Sequence, residues 1–417
     1  MPNPFRSLNS RQKHTFAACF LGWTMDAFDF FLLVFCVSAV AADFRVARSE
    51  VAEALFLTLA FRPVGAFLFG VLADRFGRRP VLMINIACYS LLEMSCAFAG
   101  SMHSLLVLRA LFGIAMGGEW GVGAALVFET LPKENRGFFS GLLQMGYAAG
   151  YLVAAAAYAL LFPWFSRFAW HGHAFGWRGM FLAGAIPALL VFYIGARVEE
   201  SPTWREGRSS APRTEAGRLG TTQGILRYAG TFLFLVLLMT GFNSFSHGTQ
   251  DLYPTFLQQD HGFSARLTGT IAMLYNVGAV AGGIFFGALS ERIGRKRAII
   301  LAALLSLPAI PLFAMSHSVA GLAAGAVLMQ FMVQGAWGVV PAWLSELSPG
   351  PVRATFPGLT YQLGNLISSK NDVIQARFAE QVGSYSGVLA VTVAIVACYL
   401  VVVAAFGRES KGLELKA

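Results

Sequence analysis

Gly70-Val71-Leu72-Ala73-Asp74-Arg75-Phe76-Gly77-Arg78-Arg79 reads again, 217 residues on, as Gly287-Ala288-Leu289-Ser290-Glu291-Arg292-Ile293-Gly294-Arg295-Lys296. Each copy closes a long apolar run. A second pattern, Glu129-x-x-Pro132-x-x-x-Arg136, returns at the same offset as Glu346-x-x-Pro349-x-x-x-Arg353. Two unrelated patterns sharing one offset mean that a whole half of the chain is duplicated, a common way to build helical membrane proteins.

Composition says which solvent the duplicated halves meet. Of the 417 residues, 56% are hydrophobic and 13% charged, with a mean hydropathy of +0.60. Soluble domains carry about 25% charged residues, so lipid must cover most of this surface. Apolar windows of membrane length predict an all-α protein of twelve spans, near 14–41, 50–72, 80–100, 105–129, 137–162, 176–197, 227–256, 265–290, 298–316, 319–345, 352–378 and 385–406. That divides the chain into a six-helix half (1–197), a polar linker (198–226, with Arg205, Arg208, Arg213 and Arg218) and a second six-helix half (227–417). Arg6, Arg11 and Lys13 lead straight into a full-length span, which argues against a cleaved signal peptide.

With the N-terminus cytoplasmic, 22 of the 31 Lys and Arg fall on cytoplasmic segments and only Arg45, Arg48, Arg167, Arg178 and Arg266 fall outside. This positive-inside bias places both termini in the cytoplasm of a cell membrane. It accounts for the net charge of +9 and excludes nucleic acid as the reason for it. The five cysteines all lie in apolar runs without a C-x-x-C pair, so no disulfide, metal or organic cofactor is expected. His171-Gly172-His173, the close histidine pair, sits in a loop without an acidic or thiol partner and reads as solvated. No nucleophile–base or phosphate-binding pattern marks an enzyme.

In the duplicated loops, Gly70 and Gly77 would allow a tight turn, and Asp74 would cap a helix start and pair with a basic neighbour. The twofold cluster of Asp74, Arg75, Arg78, Glu129 and Arg136 with Glu291, Arg292, Arg295, Glu346 and Arg353 could latch the cytoplasmic face in one state and release it in the other, or simply anchor topology. The loop resembles the hallmark of the major facilitator superfamily, whose likeness implies two six-helix bundles around a cavity open to each side in turn. Drug/proton antiporters of that superfamily carry a Gly-Pro-Gly-Gly-type stretch in span 5. Here Gly146-Tyr147-Ala148-Ala149-Gly150-Tyr151 has no proline and reads as a close-packing Gly-x-x-x-Gly face.

The loops repeat, but the intramembrane charges do not. At the offset, Arg62 becomes Ala279, Asp26 becomes Asn243, Asp29 becomes Ser246 and His247 corresponds to Phe30. Ionisable groups at membrane depth are expensive and therefore functional candidates. Arg62, mid-span 2, suits a carboxylate with its planar donor fork, or an ion pair with Asp26, Asp29 or Glu119. Asp26 and Asp29 stand one turn apart on span 1 and either carry the proton or neutralise Arg62. Glu119, among Gly117, Gly118 and Gly121, is a proton carrier or a structural carboxyl. Glu93 reads as a satisfied buried acid and Arg109 as a snorkelling cation. Lys370 and Asp372 are expected to face each other or the outer water.

Span 7 carries Asn243-Ser244-Phe245-Ser246-His247-Gly248-Thr249-Gln250-Asp251-Leu252-Tyr253-Pro254-Thr255. Helical periodicity aligns Asn243, His247, Gln250 and Asp251 in one stripe, with a neutral-pH titrator among them. The string resembles the span-7 motif Asn-x-x-(Ser/Thr)-His-x-(Ser/Thr)-Gln-Asp-x-x-x-Thr of the sialate/lactate:proton symporter family, which includes yeast-type carboxylate permeases. Asn243, Ser246, His247, Thr249, Gln250, Asp251 and Thr255 fill every specified position. That likeness implies proton-coupled monocarboxylate uptake by a carrier that works as a monomer, with roles for a span-2 arginine, matched by Arg62, and a span-11 Gln-x-x-Asn pair, matched by Gln362 and Asn365.

Bacterial sialate members of that family resemble fourteen-span proteins, and this chain has only a linker in place of the extra pair. The expected substrate is therefore a small acid such as lactate, pyruvate or acetate, walled by Phe28, Phe30, Phe31, Phe61 and Phe245. Sialic or aromatic acids are the nearest alternative, and a non-transporting membrane sensor a more distant one. The substrate set expected is Arg62, Asn243, His247, Gln250, Gln362 and Asn365. Proton coupling is expected from Asp26, Asp29, Glu119, His247 or Asp251, with the proton as coupling ion.

Overall fold

A computed structural model describes residues 4–170, 173–210 and 226–415. Among the described residues, ten helices are long and apolar enough to cross a membrane. They are span 1 (Ser10–Phe44), span 2 (Arg48–Phe76), span 4 (Met102–Thr130), span 5 (Lys133–Phe165), span 6 (Phe175–Arg197), span 7 (Ala229–Gln259), span 8 (Arg266–Ile293), span 9 (Arg295–Ala314), span 10 (Val319–Leu347) and span 12 (Tyr385–Phe406). Span 3 (Arg78–Cys96) and span 11 (Thr355–Ser368, then Asn371–Val382) complete the twelve. Span 3 falls short on hydropathy and span 11 on unbroken length, each for a local reason. Span 3 begins on Arg78-Arg79 and carries Asn85 and Glu93, and span 11 is interrupted at Ser369-Lys370. Arg213, Arg218, His171 and Gly172 lie outside the described residues, as does the side chain of Asp372.

Local chemistry sets the helix ends. Asn9 caps span 1, its Oδ1 accepting from the Gln12 amide at 2.9 Å while Gln12 Oε1 accepts from the Asn9 amide at 3.0 Å, a reciprocal capping box. Gly77 (φ 110°) and Gly294 (φ 100°) terminate spans 2 and 8 in a conformation that side chains avoid. Gly70 is not part of that turn. It lies inside span 2, where a Cβ would stand 2.6 Å from the Thr355 Cα of span 11.

The two halves meet through glycine. On span 5, Gly137 and Gly141 approach Gly287 and Gly283 of span 8, and a Cβ on Gly287 would stand 3.1 Å from the Gly141 Cα. On the pseudosymmetric side, a Cβ on Gly358 of span 11 would stand 3.2 Å from the Gly121 Cα of span 4. These contacts use the ends of the spans that border the Lys/Arg-rich loops, here called the basic face. The far-face segments Gly146–Phe165 and Tyr253–Gln259 pack mainly within their own halves. The halves are thus closed at the basic face and parted toward the far face. Gly146 and Gly150 pack span 5 on span 1, where added Cβ atoms would stand 2.9 Å from Trp23 Cδ1 and from the Phe28 amide nitrogen. Large apolar side chains such as Leu160, Phe192 and Phe406 point out of the bundle, as lipid-facing helices require.

Gly141→Val is expected to wedge spans 5 and 8 apart. Overpacking costs about 1–3 kcal/mol, which disfavours closure of the basic face by about 5- to 150-fold. Spin-label distances between the basic-face ends of these spans should shift to longer values, with the fold retained.

Candidate functional site

Two polar layers occupy the axis between the halves. At the basic face, Arg78 donates from Nε and Nη2 to the two oxygens of Glu129 at 3.1 and 2.9 Å. Its pseudosymmetric partner Arg295 does the same to Glu346 at 3.2 and 3.0 Å. Both pairs are buried and each stays inside one half. The acids of the duplicated loops do the crossing. Asp74 accepts from the amides of Ala354 and Thr355 at 2.9 and 3.1 Å and from Thr355 Oγ1 at 2.6 Å, so it caps the first turn of span 11 in the opposite half. Glu291 accepts from the Gly137 amide at the start of span 5. A carboxylate on a helix N-terminus is favoured by the free amides and the helix dipole together.

Arg353 reaches Glu129 across the halves at 3.7 Å, and Arg136 donates to the Leu413 carbonyl at 2.9 Å. Arg75 and Arg292 do not join this network. Both are exposed, and Arg75 stacks on its own neighbour Phe76.

A third repeated element was missed in sequence. Glu200-Ser201 and Glu409-Ser410 follow the last span of each half. Glu200 takes the Arg78 amide at 3.0 Å and Glu409 the Arg295 amide at 2.8 Å. Ser201 and Ser410 donate to Glu129 and Glu346. Their offset is 209, so a search at 217 passes over them.

At mid-depth, the first half holds a buried ionic cluster. Arg62 Nη2 donates to Asp26 Oδ1 at 3.3 Å and touches the Met116 sulfur at 2.7 Å, with the Phe30 ring 5.6 Å away. Its Nε has no protein partner. Glu119, 1% exposed, packs against span 1 at Gly22, and neither oxygen has a protein partner. Arg109 does not snorkel. It is buried, held between the Phe112 and Phe181 rings, with guanidinium nitrogens 2.9 Å from each oxygen of Glu93. Asp29 lies at 0% exposure, turned into the bundle beside Gly184 rather than toward Arg62.

In the second half the polar stripe of span 7 divides. His247 Nδ1 is 2.8 Å from Asp251 Oδ2 and its Nε2 is 3.1 Å from Asn365 Oδ1 of span 11. The His247 and Asp251 side chains are 35% and 38% exposed. Gln250 turns the other way, donating to Gln330 of span 10 at 2.6 Å, while Gln330 donates to Thr249 at 3.1 Å. Asn243 spends its donor on the Met239 carbonyl of its own helix at 2.8 Å, so it leaves the stripe. Gln362 is buried with Oε1 unpartnered and is separate from the His247–Asn365 contact. Gln330 and Gln334 were not singled out, although two intramembrane amides four residues apart signal a polar helix face.

Aromatic rings join the halves. Trp23 meets Tyr147 at 5.5 Å and Trp120 at 6.4 Å. Trp120 meets Tyr361 at 4.9 Å, and Tyr361 meets Trp337 at 5.7 Å. Tyr147 lies in electrostatic reach of both Arg62 and Asp251. The indole nitrogens of Trp23 and Trp120 are buried without protein partners. The walls are therefore mostly Trp and Tyr, and of the five expected phenylalanines, Phe30 and Phe31 line this region. Phe61 is exposed on its helix, Phe245 is sealed in the second half's core, and Phe28 is buried in the packing of span 1 in its own half.

Comparison with known proteins agrees with the fold. Residues 19–253 match the family described as Major Facilitator Superfamily, and residues 229–413 that described as Sugar (and other) transporter. The chain is 30% identical over 372 residues to a probable 4-methylmuconolactone transporter of Cupriavidus pinatubonensis, covering 88% of this chain and 83% of that one. It is 29% identical over 400 residues to a carboxylic acid transporter protein homolog of Saccharomyces cerevisiae, covering 91% of this chain and 64% of that longer protein. A crystal structure of a double-tryptophan mutant of XylE shares the fold, with a TM-score of 0.78 at 19% identity over 98% of each chain.

Glu129→Gln is expected to leave Arg78 with Asp74, 3.3 Å away, as its one acid partner and to lower stability by up to about the 3–5 kcal/mol that loss of one partner of a buried pair costs. Glu346→Gln should likewise leave Arg295 with Glu291 at 3.1 Å. In a thermal-unfolding double-mutant cycle, Arg78→Met with Glu129→Met should cost less than the sum of the single changes.

Proposed function

We propose that this chain, which belongs to the Major Facilitator Superfamily, is a proton-coupled importer of organic acids. The observation that carries the reading is Arg62. It is a buried guanidinium in the first half, its Nε free of protein partners, and the same half carries two unpartnered indole N–H groups in a ring-lined wall that meets the second half. Such a donor set suits a carboxylate attached to an apolar body. The two relatives described above, a probable 4-methylmuconolactone transporter and a carboxylic acid transporter protein homolog, support an organic acid.

The positive-inside bias assigns the basic face to the cytoplasm of a cell membrane, with both termini there. The closed basic face then makes this an outward-facing conformation. An acid enters from the far face, passing the half-exposed His247–Asp251 pair, and docks on Arg62. Arg62 turns from Asp26 to the substrate, and Asp26 takes the proton. The ion count in the low-dielectric core is unchanged, so the cavity can close around its load. Opening inward requires Asp74 and Glu291 to release the helix starts they cap. One acid anion with one proton moves no net charge, and one chain suffices for the pathway.

Two acid classes have specific support. The Trp and Tyr wall favours planar ring or unsaturated acids, and this is the reading we adopt. The seven-position span-7 motif favours short monocarboxylates such as lactate, pyruvate or acetate, the class expected from sequence.

Proteoliposomes with an acidic exterior should accumulate a labelled acid, and a protonophore should abolish the accumulation. Arg62→Lys keeps the charge but loses the fork and should lower uptake at least about tenfold, equivalent to about 1.4 kcal/mol of binding. Benzoate-type acids should compete better than lactate. Unchanged uptake in Arg62→Ala would remove Arg62 from the site.

A further inference from the structure

Hydrogen bonds between spans 7 and 10 run head to tail. Gln334 Nε2 donates to Ser246 Oγ at 3.2 Å, and Ser246 Oγ to Gln250 Oε1 at 3.4 Å. Gln250 Nε2 donates to Gln330 Oε1 at 2.6 Å, and Gln330 Nε2 to Thr249 Oγ1 at 3.1 Å. Thr249 Oγ1 ends the chain on the Phe245 and Ser246 carbonyls at 2.8 and 3.1 Å. That end fixes the direction of all the rest. A backbone carbonyl can only accept, so the one Thr249 proton is spent there and Thr249 must receive from Gln330. Gln330 therefore turns its NH2 to Thr249 and its carbonyl to Gln250. Gln250 then donates with its NH2 and accepts the Ser246 proton. Ser246, its proton spent, accepts the NH2 of Gln334. Each amide is held in one of its two orientations.

The open end of the chain is the Gln334 side-chain carbonyl. Among the described residues none donates to it, and Gln334 is half-buried where Gln330 and Thr249 are sealed. Its surroundings belong to the candidate site. Gln334 stands one turn before Trp337, where the ring chain ends, and Ser246 one turn beyond Phe242, whose carbonyl accepts from the Trp337 indole at 3.2 Å. Span 7 runs toward the far face and span 10 away from it, so the chain lies on the far-face side of that contact. The main chain of Gln334 also borders the junction of the halves. A Cβ on Gly283 of span 8 would stand 3.4 Å from the Gln334 main-chain oxygen and 3.3 Å from Met145 Sδ of span 5. Met145 is two residues from Tyr147, which meets Trp23.

We infer that Gln334 is a specificity-determining residue that reads a hydroxyl group on the body of the transported acid. The inference deepens the organic-acid reading above and rests on it. The substrate class is a ring acid carrying an O–H away from its carboxylate. Arg62 offers donors to the carboxylate, and Gln334 offers an acceptor to the hydroxyl, which lengthens the chain by one link. An ether in the same place cannot donate. Turning Gln334 to offer its NH2 instead would set its carbonyl against the Ser246 oxygen, whose proton is committed to Gln250. A site built around a hydrogen bond rejects the analogue that cannot make it. Joining span 7 to span 10 needs only the sealed pair Gln330 and Thr249, so Gln334 is left for the ligand.

The test is titration calorimetry of the purified full chain with benzoate, 3- and 4-hydroxybenzoate and the two matching methoxybenzoates. The wild type is expected to bind one hydroxybenzoate about three- to tenfold more tightly than its methoxy counterpart, the range one neutral hydrogen bond gives. Gln334→Met keeps the length and removes the acceptor, and the ratio should fall toward one. Ser246→Ala keeps the amide but frees it to turn, so the methoxy acid should gain and narrow the gap from its own side. A merely structural role for the chain would weaken all five acids by one factor. Equal binding of hydroxy and methoxy acids in the wild type, or a ratio unchanged in Gln334→Met, would overturn the inference.

Uptake into proteoliposomes separates this inference from the symport reading. A hydroxyl preference in binding without proton-driven uptake would sink symport and leave the role of Gln334 standing. Proton-driven uptake of these acids with no such preference would do the reverse. Failure of all five acids to bind would overturn both.

Discussion

A charge at membrane depth must be paired or neutral, and this requirement organises the molecule. It explains why Arg109 is clamped by Glu93 between two rings rather than reaching for water, and why Arg62 leans on Asp26. It also explains why the halves differ. Duplication copied the scaffold, including the glycines and loops, but an ionic cluster copied twice would double the desolvation cost without a second task. The second half instead meets the axis with neutral amides and a half-exposed His247–Asp251 pair. Fixed charge sits in one half, and adaptable hydrogen bonding in the other.

The basic face obeys a related rule with a different outcome. Arg78–Glu129 and Arg295–Glu346 are bidentate, buried and internal to one half, so they move as parts of a rigid body. The contacts that must break during a conformational change include those of Asp74 and Glu291 with helix starts, together with Arg353–Glu129 and the Arg136 bond to the Leu413 carbonyl. Free helix amides and carboxylates are both readily hydrated, so parting them exchanges one set of hydrogen bonds for another. Strong bonds hold each half together, and exchangeable ones hold the halves to each other.

Much of this was legible in the chain. The 217-residue offset gave the duplication, and the apolar windows gave twelve spans, of which ten are long and apolar enough to cross a membrane among the described residues. Arg62, Asp26, Glu119 and the loop acids were recognisable because ionisable residues in apolar runs stand out. Rotation about each helix axis was less legible. Periodicity aligned Asn243, His247, Gln250 and Asp251, yet span 10 draws Gln250 to Gln330 while Asn243 bonds to its own backbone. Arg75 and Arg292 share the loop motif with Arg78 and Arg295 but point to solvent, which a motif without a third dimension cannot show. The Trp23–Trp120–Tyr361–Trp337 chain was hidden for another reason: in a membrane protein an aromatic residue in an apolar run carries no contrast.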